Sequence, residues 1–229
     1  MGRNRTAITS FLFLIAVIAI QTLAGKDFWD AKPWTDWKRE EARKILWDSP
    51  WTREVAFSPA QAQNITGERP PPTTSGPFDW TRELRYLLRW RSARAVEDAR
   101  LRMTQFVPQY LNETIPAEWR SQYYILELRL FNTISFAYSP MQPSPAGEKL
   151  FKKSTFLLRK SKERIPLDTA SSPSPDVIYL MFPRMDPAGQ PSISAADGEV
   201  RFVTVLPNGS HLKAGFQPKK MIYRRELDL

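Results

Sequence analysis

Leu84 to Phe106 reads LRYLLRWRSARAVEDARLRMTQF, and the fold class turns on a change of period inside it. Up to Trp90, the residues Leu84, Tyr86, Leu88 and Trp90 alternate with Arg85, Leu87 and Arg89, the two-residue repeat of a half-buried strand. Such a strand buries the first set and presents an arginine row, Arg85, Arg89 and Arg91. A helix is the rival reading, because Leu84, Leu87 and Leu88 also share helical spacing. Beyond Ser92, a candidate N-cap, the repeat lengthens to Val96, Ala99, Met103 and Phe106, one buried stripe of a helix from Ala93 to about Gln105. A strand feeding a helix points to an α+β protein.

Upstream lies FWDAKPWTDWKREEARKILWDSPW, Phe28 to Trp51, which holds five of the chain's eight tryptophans. From Asp36 to Trp47 good helix formers dominate, with Trp34, Trp37, Ala42, Ile45 and Leu46 at roughly helical spacing and Pro50 as the stop. The tryptophans read as a clamp on one side of a sheet. Trp51 to Phe57 then alternates as a strand, and residues 58–79 are a proline-rich loop.

Downstream, the pattern predicts a short helix from Pro116 to Gln122 and a strand from Tyr123 to Phe131. Prolines make 139–147 a second loop. Ser154 to Arg159 and Arg164 to Thr169 are short strands separated by the charged run Lys160-Ser161-Lys162-Glu163. Asp176 to Phe182 is almost wholly apolar, as a strand covered on both faces is. After a third loop at 183–198, Val200 to Leu206 and His211 to Phe216 flank Asn208-Gly209, a hairpin signature. Met221 to Leu229 alternates as a final strand. These elements make one α+β domain over residues 25–229: a mainly antiparallel sheet of about six or seven strands with two packed helices, Phe28 to Trp47 and Ala93 to Gln105.

The composition narrows the function classes. Cysteine is absent, which excludes disulfides, thiolate nucleophiles and cysteine-ligated metals. Histidine occurs once, as His211, so histidine-rich metal sites are excluded too. No Gly-x-Ser-x-Gly elbow, phosphate-binding glycine loop or calcium loop occurs, and no cofactor is called for. Ser210 and Lys213 match Ser-x-x-Lys, but they follow a hairpin turn instead of opening a helix and lack companion motifs. Asp36 and Glu40 lie four apart, as charges on a solvated helix face commonly do. A carboxylate-dependent hydrolase of the periplasm stands as the alternative function, since paired carboxylates need not be near in sequence.

Residues 1–24 have the three parts of an export signal: basic Arg3 and Arg5, an apolar run from Phe11 to Ile20, and Thr22-Leu23-Ala24 as a cleavage site. Without cleavage, residues 6–25 could anchor the chain in a membrane. Either way the body lies outside the cytoplasm, periplasmic or secreted. A net charge of +9 then meets anionic lipid, acidic glycan or an acidic envelope protein, and not nucleic acid.

The segments FWDAKPWTDWKREEARKILWDSPW, RYLLRWRSARAVEDA, FKKSTFLLRK and KKMIYRRELDL together resemble a group of exported bacterial proteins. The resemblance spans most of the mature chain. It implies a Gram-negative envelope or secreted location and carries no activity, cofactor or catalytic residue. The expected function is a non-enzymatic binding or structural module, with Arg85, Arg89 and Arg91 as the contact for an anionic partner.

Overall fold

The switch of period at Ser92 is realised as a strand and a helix. The computed structural model describes residues 27–57, 84–108, 114–131, 151–174, 176–205 and 211–229. The expected export signal at 1–24 and the loops expected at 58–79 and 139–147 lie outside these residues. In chain order the helices are α1 (Phe28–Ala31), α2 (Arg39–Trp47), α3 (Arg94–Thr104) and α4 (Ala117–Gln122). The strands are β1 (Thr52–Phe57), β2 (Leu84–Trp90), β3 (Tyr123–Phe131), β4 (Phe156–Arg159), β5 (Arg164–Pro166), β6 (Thr169–Ser174), β7 (Val177–Pro183), β8 (Val200–Val205), β9 (His211–Phe216), β10 (Ile222–Tyr223) and β11 (Glu226–Leu227).

The fold is α+β and its strand pairs are antiparallel. The strands divide among a five-stranded sheet ordered β1-β2-β3-β7-β6, a four-stranded sheet ordered β5-β4-β8-β9, and the β10-β11 pair. One apolar cluster joins the two large sheets, with Tyr86, Leu88, Trp90, Leu126, Leu128, Ile178, Leu180 and Phe182 meeting Leu157, Ile165, Phe202, Leu212, Ala214 and Phe216. Alternation puts these residues on one face of each strand, so burial of one face fixes the register. The Trp90 and Phe216 rings meet edge to face at 5.2 Å, a favoured aromatic geometry. The other face of the five-stranded sheet carries a smaller cluster of Ile115, Ile125, Val177, Tyr179 and Met181, with Trp119 of α4 packed against it. That double coverage explains the unbroken apolar run in β7.

The tryptophan-rich segment closes one side of the larger core. Trp37 and Trp51 are fully buried, and edge-on contacts link Phe28 to Trp29 (5.0 Å), Phe28 to Trp37 (5.9 Å) and Trp29 to Trp51 (5.4 Å). Trp37 lies just before α2 and not on it, following a 3-10 turn at Trp34–Asp36. The carboxylate of Glu41 accepts the Lys38 amide at 2.6 Å and pairs with Lys32 at 2.8 Å, so the α2 start is closed by its own first turn.

Three local expectations change. Ser92 does not cap α3; its hydroxyl accepts the Ile125 amide at 3.0 Å. The cap comes from Asp228, whose two carboxylate oxygens accept the Arg94 and Ala95 amides at 2.7 and 2.8 Å, which suits the positive end of the helix dipole. The final segment is not one strand. Arg224 and Arg225 adopt left-handed φ of 52° and 69° and fold β10 back on β11 in a tight turn. The strand expected from Arg164 to Thr169 divides. β5 ends at Pro166 in the four-stranded sheet, and Thr169 opens the polar β6, which pairs with β7 at the edge of the five-stranded sheet with its register shifting between Ser171 and Ser174, a setting that tolerates Pro173. Among the described residues, no helix is long and apolar enough to cross a membrane.

Candidate functional site

The arginine row of β2 is divided between surface and interior. Arg85 is exposed and pairs with Glu54 of β1 at 3.2 Å. Arg89 is 3% exposed and Arg91 0%. Register explains this: Arg89 stands opposite Glu127 of β3, an interior position that is itself 0% exposed. Glu127 is reached by Arg89 at 3.4 Å, Arg91 at 3.8 Å and Arg129 at 2.9 Å. Arg91 also pairs with Glu97 of α3 at 2.5 Å, and Glu97 takes Arg100 at 2.7 Å and Arg120 at 3.8 Å. The Arg89 Nε donates to the Leu46 carbonyl at 3.0 Å, tying this network to the end of α2.

Burial works against the charge on Glu97, but the hydrogen bond from Arg100 and the attraction of Arg91 prevail and lower its pKa to about 2. Glu127 is likewise pushed up by burial and brought below its ordinary value by Arg89, Arg129 and Arg91. Both are held ionised, the reverse of the raised pKa a general acid needs. The network joins α2 and α3 to the sheet, and of the three arginines only Arg85 reaches the surface.

A second basic surface lies on the outer face of the four-stranded sheet. Arg164, Leu158 and Arg201 stand opposite one another on β5, β4 and β8, and the inward partners Leu157, Ile165 and Phe202 are buried beneath them. A groove of about 470 Å³ runs over this row, lined by Leu158, Arg159, Lys160, Lys162, Arg164, Glu199 and Arg201. Two of its cations are matched. Arg159 reaches Asp197 at 3.0 Å and Glu163 at 2.8 Å, and Arg201 reaches Glu199 at 2.8 Å. The hydrogen bond to Asp197 leads the effects that raise the Arg159 pKa. Arg164 lies over the Phe156 ring, 4.4 Å from its centroid, a cation–π contact. Among the described residues, Lys160, Lys162 and Arg164 have no carboxylate within ion-pair distance.

Two glycines make room for this arrangement. A Cβ at Gly198 would stand 3.3 Å from the Lys160 side chain, and one at Gly215 would collide with the Glu199 carboxylate. Sequence reasoning took Lys160 to Glu163 only as a charged separator between two strands. The available signal was its position: cations at a hairpin tip stay in water, whereas cations inside an interior strand must find carboxylates.

Geometry therefore defines an α+β protein of two facing antiparallel sheets with a basic groove on the outer face of the smaller one. Comparison with protein-family models, with curated proteins and with solved structures finds no match.

Proposed function

We propose that the chain is an extracytoplasmic, non-enzymatic binding module that takes an anionic partner on the outer face of its four-stranded sheet. The observation that carries this reading is the set of three cations, Lys160, Lys162 and Arg164, that line one open groove and form no ion pair with a carboxylate among the described residues. Among the described residues, exposed lysines such as Lys44, Lys153 and Lys213 also form no ion pair; what sets Lys160, Lys162 and Arg164 apart is that they line one groove together. Outside the cytoplasm, the anions such a face meets are lipid head groups and acidic glycans. The ionised state of Glu97 and Glu127 lends no support to carboxylate-dependent hydrolysis.

The test is binding of the purified protein to anionic and to neutral phosphatidylcholine vesicles, at low salt and at about 0.15 M, where charge attraction is largely screened beyond some 8 Å. Wild type should bind anionic vesicles in a salt-sensitive way. Lys160→Glu, Lys162→Glu and Arg164→Glu together should abolish that binding, while Arg85→Glu on the other sheet should leave it intact. Undiminished binding by the triple variant would sink the assignment of the face.

A further inference from the structure

We propose that the groove over Leu158 receives a phosphomonoester group, with Lys160, Lys162 and Arg164 as its cationic ligands. The inference rests on the anion-binding reading above and narrows it from charge to chemistry.

The hairpin loop that joins β4 to β5 supplies the first observation. The Lys162 amide donates to the Arg159 carbonyl at 2.9 Å, and the Arg159 amide donates to the Glu163 carbonyl at 2.9 Å. Lys162 has a φ of 69°. This is a short loop closed by a left-handed residue, a position where glycine meets no steric penalty and asparagine little. Lysine carries no such advantage. Arg224 and Arg225 hold the same conformation in the β10–β11 turn, so the backbone alone gives Lys162 no role; it fixes the lysine at the exposed hairpin tip, where it lines the groove.

The matched and unmatched charges supply the second. Asp197 and Glu163 occupy Arg159, and Glu199, lying over Gly215, occupies Arg201. Among the described residues these three acids meet two arginines, which leaves Lys160, Lys162 and Arg164 unpaired and the cluster of five cations and three carboxylates with a net charge of +2. A carboxylate or phosphodiester brings one negative charge and leaves half of that net charge unmet. A phosphomonoester brings about −1.5 to −2 and three acceptor oxygens, the number of ligands present. Lysines serve such a group as compact point charges approaching separate oxygens, and Arg164 offers its planar fork. Lys160 is seated by Gly198, whose missing Cβ leaves room for the lysine stem.

Size supplies the third. A groove of about 470 Å³ falls within the roughly 300 to 1,000 Å³ of small-ligand sites. It suits a head group or a sugar phosphate better than a stretch of polymer. Its apolar element, Leu158, lies under the body that carries the phosphate.

The experiment compares phosphatidylcholine vesicles containing phosphatidic acid, a monoester, with vesicles containing phosphatidylglycerol, a diester, at equal surface potential. Affinity for the monoester should be about tenfold higher, a difference of about 1.4 kcal/mol. Equal affinity for the two overturns the phosphomonoester and leaves the anion-binding reading standing. Binding to neither overturns both. Lys162→Gly should reduce affinity for phosphatidic acid about five- to tenfold while its melting temperature holds or rises. Unchanged affinity in that variant overturns the role given to Lys162. Inorganic phosphate distinguishes the sources: displacement from phosphatidic acid vesicles supports recognition of the free group, and persistence on the vesicles supports a group presented by a bilayer.

Discussion

Residues 85–91, RYLLRWR, and residues 159–164, RKSKER, each carry a net charge of +3, three arginines in the first and four cations less Glu163 in the second. Their surroundings are opposite. The first is an interior strand whose later arginines meet carboxylates brought from β3 and α3. The second forms a hairpin tip whose lysines make no ion pair with a carboxylate among the described residues. Local charge is therefore a poor guide to a binding surface. What separates structural cations from available ones is whether the topology carries acids to them.

The comparison breaks most visibly in stability. Arg91→Ala would leave Glu97 and Glu127 buried without their shared cation and should cost about 3 to 5 kcal/mol in a urea titration. Trp37→Ala, an apolar counterpart of equal burial, should cost a similar amount, about 3 to 5 kcal/mol. If Arg91→Ala proved near neutral, the network would be solvated and β2 would return as a candidate contact face.

Acid sharpens the contrast next. The Glu97 pKa is depressed from its ordinary 4.5 to about 2, so its contribution to stability is fully present above 4.5 and is lost as pH falls from there toward 2. The melting temperature should drop through that window, and Glu97→Gln should flatten the drop while lowering the starting value. The smallest effect belongs to the hairpin. Lys160→Glu should change stability by no more than about 0.5 kcal/mol, as exposed substitutions do, while weakening salt-sensitive binding. A loss comparable to that of Arg91→Ala would place Lys160 among the structural cations.

Much of this architecture was legible because it rests on local periods. Alternation in Leu84 to Trp90, the longer repeat from Ala93, and the apolar run in Asp176 to Phe182 became the expected elements, because burial of one face or both imposes those patterns. Of the expected helical stripe, Val96, Ala99 and Met103 are buried, whereas Phe106 lies past the end of α3 and is 42% exposed. The parts that escaped depend on distant residues. Nothing in RYLLRWR announces that Glu127 will stand opposite Arg89, and Ser92 satisfied the rule for an N-cap while its hydroxyl went to Ile125. The polar β6 carries no strand pattern and is held by pairing with β7. Lys162 escaped for another reason: a left-handed lysine breaks the rule by which turns are read. The arginine row was located correctly as one side of a strand, but coverage of that side is a tertiary fact.

The Asp228 cap bears on the order in which the molecule comes into being. Asp228 lies 134 residues beyond the Arg94 amide it accepts. A ribosome adding about 5 to 20 residues per second needs roughly 7 to 27 s to cover that distance. During this interval the start of α3 has been synthesised while the carboxylate that closes it has not. The start of α3 therefore has to wait for its cap until Asp228 has been added, and until then its first amides are left to water.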